Sequence, residues 1–256
     1  MLLPIGDDNQ GRLTTPIVVY SLVAINVIVF LLQLSGGDQF TLAYSAVPYK
    51  ITHNVTLVPP GVRGALPPGT DESLAIRRGL PVPRGIPQEE GPSPIYLTLL
   101  TSMFMHGSIL HIAGNMLYLW IFGDNIEDNF GHLKFLIFYL ICGLIASLAQ
   151  ILADPDSIIP SLGASGAIAG VLGAYLVMFP RNRVRSILPL PFIWTIVELP
   201  AVVVLGFWIV IQIASQYTTM ESAKATQGGG VAYMAHIGGF VGGLILCFIF
   251  RRRYPV

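Results

Sequence analysis

The feature that most constrains this chain is a series of apolar runs, too long and too poor in charge for a soluble fold. They lie near Pro16–Leu34, Ile109–Phe122 with residues upstream of it, Leu133–Leu152, Ser165–Phe179, Phe192–Ser215 and Ala232–Phe250, and their only formally charged side chains are Lys134 and Glu198. A bilayer core about 30 Å thick is crossed by about 20 apolar residues in a helix, which satisfies its own backbone polar groups. Six helical spans are therefore predicted, the second and fourth of them short. Composition agrees, since 11% of the 256 residues are charged and 53% are hydrophobic, against about 25% charged in soluble domains. So few charges cannot cover a soluble surface, and so much apolar content excludes disorder over the whole chain. Fourteen basic residues balance fourteen acidic ones, so no net field attracts nucleic acid. The expected fold class is all-α, a polytopic protein of the lipid bilayer.

Basic residues in short connections set orientation. Arg181, Arg183 and Arg185 follow the fourth run, and Arg251, Arg252 and Arg253 follow the sixth. The connections Asp154–Gly163 and Tyr217–Val231 hold one basic residue between them, Lys224. Both termini are therefore expected in the cytoplasm. Residues 1–15 would form a cytoplasmic N-terminal segment, 16–250 the membrane domain and 251–256 a cytoplasmic basic tail. No basic stretch leads Met1–Thr15 into a small-residue cleavage site, so no cleaved signal peptide is expected. Residues 36–94 are rich in Pro and Gly and carry ten charges, five of each sign. They are expected as a long external first loop, in which Ile51–Val58 alternates as short strands do. Cys142 and Cys247 sit inside apolar runs and read as small buried hydrophobes.

Polar groups kept inside a membrane are costly and point to function. Three clusters qualify. His111 and Asn115, downstream of His106, are four apart and share a helix face, so both can donate to one point. Gly163-Ala164-Ser165-Gly166 opens the fourth run, with Gly170 at small-xxx-small spacing from Gly166. Ala235-His236-Ile237-Gly238-Gly239 opens the sixth, with Gly242 and Gly243 beyond it. Each alone also fits interhelical packing, where a hydrogen bond contributes about 0.6 kcal/mol on average.

Depth couples them. Ser165 and His236 each lie fourteen positions before the cytoplasmic end of their run, Phe179 and Phe250. That is about 21 Å at 1.5 Å per residue, hence about 9 Å below the outer edge of the core. The glycine faces let the two helices touch. A Ser within reach of a His is an activated nucleophile, with the His moving the proton. Donors from His111, Asn115 and the Ser165 backbone N–H could hold an oxyanion.

These pieces resemble the rhomboid intramembrane serine proteases. The matching residues are His106-x4-His111-x3-Asn115, Gly163-Ala-Ser165-Gly166 and Ala235-His236-Ile237-Gly238-Gly239, in order over about Pro16–Gln33 and Ile95–Phe250. The resemblance implies a six-helix rhomboid-like bundle, Ser165 as nucleophile and His236 as general base, with no acidic third member. It implies His111 and Asn115 in the oxyanion hole and structural support from His106, Gly163, Gly166 and Glu127, the last within Gly123-x3-Glu127 and Gly131. It implies no cofactor, no metal and transmembrane protein substrates, and so compact a chain is expected in a bacterial inner membrane. Two departures stand out. Ala169 occupies the position where many members place a Tyr against the catalytic His, so Tyr233 or Met234 would have to orient His236. No Trp lies between Gly36 and Pro94, where many members carry a Trp-Arg pair.

An inactive relative that binds membrane clients is the main rival, and such relatives usually lack the Ser or the His. A transporter would call for paired intramembrane acids or inverted repeats, whereas Glu198 is the only acid within a run and reads as an interface residue. No His-Glu-x-x-His motif, no pair of membrane aspartates and no lysine suited to a Ser–Lys pair is present. A His106/His111/His236 metal site would leave Ser165 without a purpose.

Overall fold

The structure is a computed structural model, and it describes residues 2–9, 11–58, 65–68, 86–189, 194–223 and 232–251. Residues 59–64 and 69–85 of the proposed first loop, Lys224, and Arg252 and Arg253 of the basic tail lie outside the described residues. Eight helices are described: α1 Ile17–Tyr44, α2 Pro48–Thr52, α3 Thr98–Thr101, α4 Ile109–Phe130, α5 His132–Ala153, α6 Ser165–Met178, α7 Ala201–Ala223 and α8 Tyr233–Phe250. Strands β1 Leu3–Asp7, β4 Arg183–Pro189 and β5 Trp194–Pro200 form an antiparallel sheet in the order β1-β4-β5, and β2 Ala65–Pro68 pairs in parallel with β3 Ile86–Gln88.

The helical bundle expected from the apolar runs is present. By length and composition α1, α5 and α8 can each cross a membrane. Helix α4 does so together with the short helical turns of Ile95–Phe104, from which it is bent by 78°, and α6 and Ala201–Ser215 are shorter apolar helices. At its centre stands α6, where every residue from Gly166 to Tyr175 is buried. Its 14 residues span about 21 Å, so its first residue, Ser165, begins inside the bundle rather than at its rim. The outward faces of α1, α5 and α8 expose Ile28, Leu31, Leu152, Ile245 and Ile249. A soluble protein would bury such rows, whereas lipid covers them without cost.

Helix α6 meets α8 through bare backbone. A Cβ on Gly239 would sit 2.0 Å from the Gly166 carbonyl oxygen, and one on Gly243 would sit 1.9 Å from that of Gly170. No other residue permits this approach, so the overlapping glycines bring the two helix axes together. At the opposite end of the bundle from Ser165, the buried Glu127 carboxylate accepts from the Val18 and Val19 N–H groups, at 2.9 and 2.8 Å. It thereby satisfies orphan donors at the start of α1 and sits favourably at the positive end of that helix.

Three expectations change. Ile51–Val58 contains no strand: Pro48 opens the short helix α2, and Val47 and Tyr49 carbonyls accept from the Ile51 and His53 N–H groups. Proline at the first helical position has its φ already set for a helix. Residues 36–44 do not begin a loop, because α1 resumes after a break at Gly37, whose φ of +68° is open to glycine. The fifth span begins at Ala201, not Phe192. Trp194–Pro200 alternates exposed and partly buried residues as a strand, and apolar content alone does not separate strand from helix. Glu198 accordingly lies on β5 opposite Arg185, outside any span. Residues 2–9 and 11–15 are tied to the bundle. β1 pairs with β4, Asp7 accepts from the Tyr175 hydroxyl and from Asn125, Arg12 pairs with Asp124, and Asp128 accepts from the Leu13 and Thr14 N–H groups.

Candidate active site

The site begins with a turn that only glycine makes well. Gly163 has φ +125°, and its N–H donates to the Ser102 carbonyl at 2.9 Å. The turn delivers Ser165 as the first residue of α6, so its backbone N–H belongs to the first turn, whose donors have no partner within the helix. A Cβ on Gly163 would lie 2.8 Å from His111 Nε2, so glycine is also what lets this imidazole approach the Ser165 turn. Gly166 is needed for a separate reason, since a Cβ there would lie 2.5 Å from that of Ala146 on α5.

His236 occupies the first turn of α8, and the close α6–α8 contact brings it to Ser165. The Ser165 Oγ to His236 Nε2 distance is 2.8 Å. On its other nitrogen, His236 Nδ1 lies 2.7 Å from Gln212 Oε1 on α7. The Trp208 ring lies 5.9 Å from the imidazole, tilted by 38°, and Tyr233 meets it edge-on at 6.3 Å. Ala169, buried in α6, supplies no ring.

Helix α4 contributes His111 and Asn115. Ser108 caps this helix by accepting from the His111 N–H at 3.1 Å, which fixes His111 in the first turn. The Gly107 N–H approaches His111 Nδ1 at 3.4 Å. An Nδ1 that accepts leaves the ring proton on Nε2, the nitrogen facing Gly163. Asn115 is 8% exposed, and its Nδ2 has no hydrogen-bond partner among the described residues. A buried amide with an unused donor is expensive, unless a ligand takes it up. His106 is buried behind this pair, its ring edge-on to His111 at 5.1 Å, with its backbone N–H donated to Gln33 Oε1.

A cleft of about 830 Å³ collects these groups, lined among others by His111, Asn115, Ser165, Trp208, Gln212 and His236. It extends along apolar Ile168 and Leu172. Among the described residues no group of three or more His, Cys, Asp or Glu side chains is placed to hold a metal ion. Chemically the arrangement can activate a hydroxyl and hold negative charge beside it. The sequence motifs found Ser165, His236, His111 and Asn115. They missed Gln212 and Trp208, although Gln212 is a lone amide within the run Ile209–Ala214 and meets the same rule that singled out Asn115.

Residues 94–253 match the model of the Rhomboid domain. The chain is 32% identical over 155 residues to RHOMBOID-like protein 5 of Arabidopsis thaliana, covering 60% of this chain and 44% of that one. It is 44% identical over 85 residues to Rhomboid protease GluP of Bacillus subtilis (strain 168), covering 33% and 16%. It is 27% identical over 252 residues to RHOMBOID-like protein 4 of Arabidopsis thaliana, covering 96% and 55%. It thus spans about half or less of the length of these curated relatives. With helices fit to cross a membrane and a domain model matched over most of its length, the chain is an integral membrane protein and belongs to the rhomboid family.

Proposed function

We propose that the protein is an intramembrane serine endopeptidase that cuts transmembrane or juxtamembrane segments of other membrane proteins. The observation that carries this reading is the 2.8 Å contact between Ser165 Oγ and His236 Nε2, inside a cleft that also offers unused donors. Ser165 Oγ attacks the scissile carbonyl carbon while Nε2 takes its proton, and the carbonyl electron pair moves onto oxygen. Asn115 Nδ2, His111 Nε2–H and the Ser165 N–H receive that oxyanion, each such donor contributing about 2.7–4 kcal/mol. The C–N bond then breaks as Nε2 returns its proton to the leaving amine. Water, deprotonated by the same nitrogen, releases the acyl group. His106, Gly163, Gly166 and Glu127 support this geometry and take no part in the chemistry.

A substrate helix hides its carbonyls in hydrogen bonds, so small, helix-destabilising residues at the cut favour reaction. The Arg181, Arg183 and Arg185 cluster and the arginines after α8 support both termini in the cytoplasm. The site and the connection that follows α1 then face the outer side. A bacterial inner membrane fits, and relatives of similar likeness also occur in plants and as a mitochondrial protein of yeast.

The test compares wild type with Ser165→Ala and His236→Ala in proteoliposomes, using a single-span substrate and a fluorophosphonate label. Wild type should cleave and be labelled, and both variants should lose at least about 10³-fold in rate. Cleavage that survives Ser165→Ala refutes the assignment. A wild type that neither cleaves nor labels, yet holds the single-span protein as tightly as Ser165→Ala does, would favour a client-binding protein without activity.

A further inference from the structure

We propose that Gln212 is the third member of the catalytic unit, a positioning residue that fixes the tautomer and orientation of His236. The proposal rests on the reading of Ser165 and His236 as a proteolytic pair. Its basis is the 2.7 Å contact between Gln212 Oε1 and His236 Nδ1, opposite the 2.8 Å contact of Nε2 with Ser165.

Nε2 can take the Ser165 proton only if the ring proton sits on Nδ1. Nδ1–H then needs an acceptor, because an unmatched donor held away from water costs about 1–3 kcal/mol. Among the described residues, the Gln212 carboxamide is the side-chain acceptor within hydrogen-bond distance of that nitrogen. It is 6% exposed, so water does not compete freely for the place. A carboxamide oxygen suits this site, since it accepts without bringing a second charge into an apolar bundle. Once the imidazole carries the proton from Ser165, the same oxygen faces a cationic ring, and the hydrogen bond strengthens.

The placement is not a side effect of packing. Gln212 and Trp208 are four apart on α7 and so share one face. Trp208 lies beside the imidazole ring, with its centroid 5.9 Å away, and also contacts Phe240 one turn further along α8, at 6.0 Å. Trp208 confines the ring and Gln212 sets its rotation about the Cβ–Cγ bond. Two χ angles of His236 are thus determined by α7, a helix that contributes neither the nucleophile nor the base.

The test uses the full chain in proteoliposomes, with Gln212→Leu removing the acceptor at similar volume and Gln212→Glu restoring one. Gln212→Leu is expected to lower kcat by about 10- to 100-fold, with KM within about 2-fold and fluorophosphonate labelling slowed in step. Gln212→Glu should recover to within about 3-fold of wild type. A purely structural role would instead lower the amount of folded protein and impair both variants alike. Independently of any cleavage, the ¹⁵N spectrum of histidine-labelled protein, with His236 assigned by His236→Ala, should show Nδ1–H in wild type and a tautomer mixture in Gln212→Leu. Wild-type kcat in Gln212→Leu, a change in KM alone, equal damage in Gln212→Glu, or an unchanged tautomer would overturn the role of Gln212. Failure of the Ser165 reading would look different, with cleavage unaffected by Ser165→Ala whatever stands at 212.

Discussion

Replacing Gly243 by alanine should switch the site off from two helical turns away. The added Cβ would lie 1.9 Å from the Gly170 carbonyl oxygen and 2.5 Å from its carbon. Both are backbone atoms in the middle of α6, so no side chain can rotate out of the way. Ordinary contact needs a separation about 1.5 Å greater, and α8 must supply it by moving off α6. His236 lies seven positions earlier on the same face of α8, two turns toward the site. If half of that displacement reaches His236, its distance to Ser165 grows from 2.8 Å to about 3.5 Å, the edge of a useful hydrogen bond. A misplacement near 1 Å costs on the order of 100-fold in rate, and overpacking costs about 1–3 kcal/mol in stability. Gly243→Ala should therefore lower cleavage in proteoliposomes and fluorophosphonate labelling by about 100-fold and lower Tm by several degrees. Gly206→Ala is the control, because its Cβ meets nothing within 4 Å among the described residues. It should stay within about 2-fold of wild type, as alanine is the better helix former. A Gly243→Ala protein that melts like wild type and cleaves within about 3-fold of it would refute the claim that the α6–α8 approach sets the dyad distance.

Two further outcomes are expected. Glu127→Gln keeps the shape of the side chain but gives the Val18 and Val19 N–H groups a neutral acceptor, so thermal unfolding should report a loss of about 1–3 kcal/mol, while labelling of Ser165 well below the transition is unchanged. Burial raises the Asp7 carboxyl to about 6, outweighing the Tyr175 hydrogen bond that acts to lower it. A carboxyl whose folded value lies above its unfolded 3.8 adds stability that is complete below about 4 and is lost as pH rises through about 6. Amide-exchange protection of β1, corrected for intrinsic rates, should accordingly fall between pH 4 and 7, and Asp7→Asn should flatten that dependence.

The sequence by itself determined the membrane class and singled out the residues proposed to carry the chemistry. Lipid forbids charge and unpaired backbone, so long uncharged runs announce helices, and the few polar side chains kept within them stand out. Ser165, His236, His111 and Asn115 were legible for that reason, and matching depth along two glycine-faced helices was enough to join the first two. Hydropathy could not say that Trp194–Pro200 is a strand, because an apolar strand and the start of an apolar helix share one composition, and its partner β4 is held in turn by Leu3–Asp7, far away in sequence. Nor could it pick Gln212 over Asn26 or Gln33, which are also lone amides in apolar runs. What separates them is which way α7 turns its face, and that is set by Trp208 packing between His236 and Phe240. Only the tertiary structure decided it, because the partner of His236 Nδ1 comes from a helix 24 residues away whose rotation no local pattern encodes.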